Sequence, residues 1–292
     1  MLWALFTILA AAGQTLRNAL QRDLTARLGV AGATHVRFLF GLPFSFLFLG
    51  LMALLTREAL PSIPVTVLPV VALAALAQIG ATGFMLAAMK SKSFTVTIAY
   101  TKTEPVLVAL FGLIFLADTL TLPMAIAILI ATAGVMLTAW PKDGSGWSLH
   151  ALMLGVIAAA LFAISAVGFR AGIRALPEGS FGMRASTILV IGLAMQSTAL
   201  TGYLLLKDRK ALIAIFAAWR PSLFAGFMGA FASQFWFLGF SLASAAQVRT
   251  LALIEVLLAR LISGRMFSER PAPREGLGLV LIVVGVALLL NL

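Results

Sequence analysis

Ten apolar stretches follow one another along this chain, each close to the ~20 residues needed to cross ~30 Å of hydrocarbon as a helix. They cover roughly residues 2–22, 31–55, 64–89, 94–117, 121–140, 149–172, 182–206, 219–241, 245–267 and 273–291. Short polar words separate them: "RDLTARLG", "TREALPSIP", "KSKS", "PKDGSGWS", "RALPEGS", "KDRK" and "SERPAPRE". The weakest breaks are "ADTLTLP" and "LASAAQ", so nine spans is the lower count. The runs are continuous and do not alternate, which disfavours a β-barrel. No polar stretch is long enough for a soluble domain. Charged residues make up 11% of the chain, against roughly a quarter in a soluble domain, and 62% is hydrophobic. The chain reads as a polytopic protein of the lipid bilayer.

The segment from Leu2 lacks a basic leader and a small-residue cleavage site, so the first helix is expected to be retained. With no cysteine, disulfides, thiolate metal sites and cysteine nucleophiles are excluded. No metal or cofactor is expected.

Orientation follows the lysines and arginines of the loops. The loops after helices one, three and five hold Arg22, Arg27, Lys90, Lys92 and Lys142. Those after seven and nine hold Lys207, Arg209, Lys210, Arg265, Arg270 and Arg274. The alternate loops hold little beyond Arg57 and Arg174. The first set is expected to be cytoplasmic, which places both termini on the non-cytoplasmic side of a bacterial-type inner (plasma) membrane. This asymmetry accounts for the +11 net charge, and no loop is long enough to form a nucleic-acid surface.

The chain repeats itself. Glu104 and Glu255 stand 151 residues apart, and the same offset carries Asp118 to Glu269, Ala127 to Gly278 and Gly134 to Gly285. A slightly shorter one carries Arg37 to Arg184. Five helices per copy is an odd number, so the second copy must cross the membrane in the opposite sense. The expected fold is therefore all-α: ten transmembrane helices in a 5+5 inverted-topology repeat around a central cavity, with the substrate near the midplane. The first repeat occupies 1–141, a cytoplasmic linker 142–148 and the second repeat 149–292.

These words resemble the EamA branch of the drug/metabolite transporter superfamily. Each copy there has a helix with a midpoint Glu or Pro, then an acidic residue at the following turn, then a last helix bearing glycine. "TEPVLVALFGLIFLADTLT" with "AGVMLTAW", and "IEVLLARLISGRMFSE" with "VGVALLLNL", fit that pattern over nearly the whole chain. Val256 stands where the first copy has Pro105. In general likeness the chain is similar to the YddG-type aromatic amino-acid exporters of that branch. The resemblance implies a basket of ten helices and export by alternating access.

Glu104 lies about ten residues from "KSKS", or about 15 Å along a helix, near the bilayer centre, with Glu255 at equivalent depth. A carboxylate in lipid must face the bundle interior and find a partner or a proton. Two readings stay open: the glutamates bind substrate ammonium or carry a proton, with His35 a further candidate proton carrier; or Glu104 and Glu255 hold helix ends or pair with cations in the scaffold. Lys102, Arg249 and Arg260 are badly spaced for pairing within their own helices. Candidate cations on other helices include Arg17, Arg37 and Arg184, with Arg37 and Arg184 structural because the repeat supplies both. Pro105 is expected to interrupt its helix ladder. His35 otherwise reads as an interfacial side chain near a loop, as does His150.

Polar and aromatic residues without a repeat mate are the candidates for substrate binding: Gln14, Asn18, Gln78, Tyr100, Phe162, Gln234 and Trp236. Gln14 and Asn18 share a face of helix one, as Tyr100 and Glu104 would share a face of helix four. Amides with aromatic walls suit a zwitterion that has a flat apolar side chain; alternatively, such amides glue helices together. The small residues Ala127, Gly134, Gly278 and Gly285 read as a peripheral packing face, within the chain or between protomers.

The expected function is export of small organic metabolites, aromatic amino acids foremost. The alternative within the superfamily is a sugar-phosphate, nucleotide-sugar or drug carrier, for which Lys102 and Arg249 could hold a phosphate. Enzymatic motifs such as HExxH and channel filter motifs do not occur. The sequence carries no mark of a particular oligomeric state.

Overall fold

The computed structural model describes residues 1–91, 100–138, 149–257 and 273–292. Among them the secondary structure is helical, in eleven segments. The first repeat contributes α1 (Leu2–Leu39), α2 (Leu42–Thr56), α3 (Val67–Ser91), α4 (Glu104–Leu116) and α5 (Leu122–Thr138). The second contributes α6 (Leu149–Ala175), α7 (Phe181–Lys207), α8 (Arg209–Ala217), α9 (Trp219–Leu242), α10 (Ala245–Leu251) and α11 (Pro273–Leu290). Among the described residues, five stretches are long and apolar enough to cross a membrane: Leu2–Thr56, Val67–Met89, Leu149–Ala175, Phe181–Lys207 and Trp219–Leu242. The linker 142–148, Lys92, Lys142, Arg260, Arg265, Glu269, Arg270 and the expected helix ends 94–99 and 258–267 lie outside the described residues.

The elements depart from the sequence expectation in four places, each for a physical reason. First, the polar word "RDLTARLG" is helix. Leu24 and Leu28 are buried while Arg22, Asp23 and Arg27 are exposed, which is an amphipathic turn carrying the helix out of the apolar layer. The chain turns instead at Gly29, whose φ of 68° lies in the left-handed region that glycine enters without a Cβ penalty.

Second, the expected helix 31–55 is divided at residues 40–41, and Pro43 sits in the first turn of α2, where its missing N–H costs nothing. Third, the segment after Lys207 forms α8. Its N-cap Asp208 accepts from the Ala211 N–H at 3.0 Å; Ala211 and Ile215 face inward while Ile213 and Phe216 are exposed, the pattern of an interfacial helix.

Fourth, both glutamate-bearing helices are interrupted by turns, at 102–103 before Glu104 and at 252–253 before Glu255. Pro105 occupies the first turn of α4 and so starts a helix, where a kink inside a continuous one was expected. The second repeat breaks too, although Val256 stands at the proline's position. There the chain tightens through i→i−3 bonds, Leu253 N–H to Thr250 C=O and Glu255 N–H to Ala252 C=O, both 3.0 Å.

The three largest helix interfaces run between repeats: α1 with α9, α3 with α6, and α5 with α11. Exchanging the repeats turns the first into the second and the third into itself. The α5–α11 seam shows this atom by atom. A β-carbon on Gly134 would meet the Gly278 carbonyl at 2.6 Å, and one on Gly285 would meet the Ala127 carbonyl at 2.7 Å. Residues 134 and 285, and 127 and 278, are repeat mates, so the two contacts are images of one another. The small residues read from the sequence as a packing face therefore join the two repeats of one chain.

Candidate functional site

Where α1, the two broken helices, α6 and α9 converge, six charged side chains are buried together, each at most 8% exposed: Arg17, Arg37, Lys102, Glu104, Arg249 and Glu255. The broken helices exchange partners. Lys102 Nζ of the first repeat pairs with Glu255 Oε1 of the second, and Arg249 Nε of the second lies 3.0 Å from Glu104 Oε1 of the first. The Arg249 N–H is not aimed at that oxygen, so the contact is an ion pair without an aligned hydrogen bond. Glu104 stands in the first turn of α4, where the helix dipole favours a carboxylate. Thr15 also donates toward Glu255 Oε2 at 3.4 Å. Arg249 is further held over the Trp236 ring, 4.1 Å from its centroid, a desolvated cation–π contact.

Beside this cluster lies a cavity of about 10 Å³, room for about one water, lined by Gln14, Arg17, Asn18, Met85, Thr101, Lys102, Glu104, Phe162 and Arg249. The wall from α1 is built by hydrogen bonding. Asn18 Oδ1 accepts from Arg17 Nε at 3.2 Å and Nη2 at 2.6 Å, and Gln14 Oε1 accepts from Trp236 Nε1 at 3.1 Å. With both amide oxygens engaged, the amide N–H groups of Gln14 and Asn18 remain to serve the cavity.

The structure brings four of the sequence candidates, Gln14, Asn18, Phe162 and Glu104, together at this cavity, and places the others elsewhere. Gln78 and Gln196 bond to each other at 2.8 Å between α3 and α7, and Gln234 donates to Ser186 at 2.8 Å between α9 and α7. Tyr100 packs against α6 at Gly155, because the turn at 102–103 breaks the helical face it was expected to share with Glu104. Trp236 stands behind the cavity wall, orienting Gln14 and carrying Arg249.

His35 is fully buried, its Nε2 3.0 Å from Thr201 Oγ1, and is not the loop-side residue the sequence suggested; its position between the Gly29 turn and Phe40 packs it against α7. Arg37 contacts the hydroxyls of Thr82 (3.1 Å) and Ser233 (3.5 Å). Arg184, its expected equivalent, sits half-buried in the first turn of α7. Neither of these arginines, nor Arg17, pairs with a glutamate among the described residues. Lys102 and Arg249 take that role, and in doing so are neutralised as a phosphate clamp.

Asp118, just past α4, accepts from Arg170 Nη1 at 2.8 Å and Arg174 Nη1 at 3.2 Å, while Arg170 Nε donates to the Ala243 carbonyl at 3.0 Å. Glu58 accepts from the Ser180 N–H at 2.8 Å. Both contacts cross between the repeats near the turns that follow even-numbered spans, tying the repeats together at that end of the molecule. Sequence reasoning passed over Arg17 as a cavity residue. Its signal was a lone arginine in an apolar run, three residues after Gln14 and beside Asn18.

A sequence profile of the EamA-like transporter family matches residues 1–140 and, a second time, 149–291. No curated protein sequence matches the chain. A solved structure, titled only as the crystal structure of a protein, superposes with a TM-score of 0.67 at 17% identity, covering 98% of this chain and 94% of its own. At that identity the likeness is one of fold.

Proposed function

The chain belongs to the EamA-like transporter family, a multi-pass membrane transporter of the drug/metabolite superfamily, and from that premise we propose that it exports aromatic amino acids by alternating access. The observation that carries the reading is the closed cavity between the repeats, where the amides of Gln14 and Asn18, the Phe162 ring and the Glu104 carboxylate meet. An α-amino acid needs donors for its carboxylate, an acceptor for its ammonium and an apolar wall for its side chain, and these residue types are gathered there. The contacts Asp118–Arg170 and Glu58–Ser180 fit one of the two gates that alternating access requires, on the side that the loop charges suggest is non-cytoplasmic. The two exchanged ion pairs hold the broken helices together while the cavity is closed.

The test is efflux from proteoliposomes loaded with labelled phenylalanine, tryptophan, threonine or a hexose phosphate, with and without an imposed pH gradient. Selective release of the aromatic amino acids supports the reading. Release of hexose phosphate alone would replace the substrate and keep the transporter, and release only under a pH gradient would assign a proton to Glu104.

A further inference from the structure

The buried centre holds four cations and two carboxylates within electrostatic reach of one another. Lys102 takes Glu255 and Arg249 takes Glu104, so two guanidinium groups have no carboxylate partner among the described residues. Charge buried without a counterion is expensive and persists where something else compensates it. The two arginines differ in what surrounds them. Arg37 is directed to the hydroxyls of Thr82 and Ser233 and does not line the cavity.

Arg17 lines the cavity, is 1% exposed, and has a single hydrogen-bond acceptor, Asn18 Oδ1, which takes its Nε and Nη2. Its Nη1 is buried with no hydrogen-bond partner among the described residues. A guanidinium presents five donors in a planar fork that fits an oxyanion two bonds at a time.

We propose that Arg17 is the receptor for an oxyanion of the transported molecule, the α-carboxylate of an amino acid. The α1 wall is rich in donors: Asn18 Oδ1 is taken twice by Arg17 and Gln14 Oε1 once by Trp236, so the Arg17 guanidinium and the two amide N–H groups make an anion-accepting side. Glu104 lines the same cavity from α4, its Oε1 held in the ion pair with Arg249 without an aligned hydrogen bond, and supplies the ammonium side. Once the cavity opens beyond its one-water volume, a zwitterion spans them with its carboxylate on α1 and its ammonium on α4. The bound carboxylate gives the Arg17 guanidinium a local counterion, while the zwitterion as a whole leaves the net charge of the centre unchanged. The assignment rests on the reading of this cavity as the transport site.

The experiment measures binding to purified full-length protein at fixed ionic strength, by ligand-dependent shift of the melting temperature. The probes are phenylalanine, phenethylamine (the same molecule without its carboxylate) and inorganic phosphate, each on wild type, Arg17→Gln and Arg17→Lys. Phenylalanine is expected to bind wild type, with affinity falling about 10- to 100-fold in Arg17→Gln and less in Arg17→Lys, the loss of a charge-assisted hydrogen bond. Phenethylamine binding should hold in Arg17→Lys and hold or tighten in Arg17→Gln, which removes a neighbouring positive charge. The proposal is overturned if phenylalanine affinity survives Arg17→Gln, if phenethylamine weakens in step with phenylalanine, or if neither anion binds wild type. Should phosphate bind in an Arg17-dependent way and phenylalanine not bind at all, Arg17 stands as the oxyanion receptor and the aromatic amino-acid reading falls. If Arg17→Gln does not fold, Arg17→Lys carries the same comparison, because it keeps the charge and loses the fork.

Discussion

Arg249 and Glu104 lie 3.0 Å apart although one belongs to each repeat, and Lys102 with Glu255 makes the reverse exchange. Removing one member of a buried pair strands the other's charge. Lys102→Ala should therefore destabilise by about 3–5 kcal/mol, while Lys102→Ala with Glu255→Ala should cost clearly less than the sum of the single changes. Thermal melts of the four proteins in detergent give the coupling. Additive losses would mean that the pair holds nothing together.

The seam of α5 and α11 leaves no space for a methyl group at Gly134, where a β-carbon would meet the Gly278 carbonyl at 2.6 Å. Gly134→Ala should lower stability by about 1–3 kcal/mol through overpacking. Gly276 has nothing within 4 Å of a β-carbon, so Gly276→Ala should be neutral or stabilise by up to about 1 kcal/mol through helix propensity. The contrast in melting temperature checks both.

Glu58 has its carboxylate held below the usual range by the Ser180 backbone N–H and hydroxyl. The folded value lies below the unfolded one, so the group's contribution is complete above about pH 4.3, the ordinary value, and is lost as the pH falls through the folded value. Melting curves of wild type and Glu58→Gln should differ by a constant amount from neutral pH down to about pH 5 and converge below that. A gap that ignored pH would remove the carboxylate from the contact.

The natural chain has no cysteine, so single cysteines report topology without background. Ser62, between α2 and α3, and Lys210, in α8, are both exposed. Ser62→Cys should react with an impermeant maleimide in intact cells, and Lys210→Cys only after permeabilisation. The opposite pattern would invert the orientation and leave the fold untouched.

Much of the fold was legible in the sequence because lipid imposes one rule on every residue: the runs located the spans, and the 151-residue offset found Gly134 and Gly285 before their contacts were visible. Glu104 and Glu255 were legible as interior carboxylates that need partners on other helices. Their partners were not, because pairing across an interface leaves no trace in local spacing. Polarity was a poor guide to helix ends: Arg22 and Arg27 lie on the exposed face of a continuing α1, and the turn belongs to Gly29. For amides the sequence could offer only residue type. Gln14 and Gln78 look alike there, yet the first lines the cavity and the second spends its side-chain oxygen on Gln196.

The exchanged pairs are alike in form and unlike in chemistry. Lys102 precedes its repeat's glutamate by two residues and Arg249 by six; their counterparts at the repeat offset are Leu253 and Ile98. The trunk of the molecule looks nearly the same upside down, but its keystones do not, for one is an ammonium and the other a guanidinium resting on an indole ring. A carrier with interchangeable halves would spend equal time facing each side of the membrane. This one has unlike halves, so symmetry does not hold its two facing states at equal weight before any cargo or gradient acts upon it.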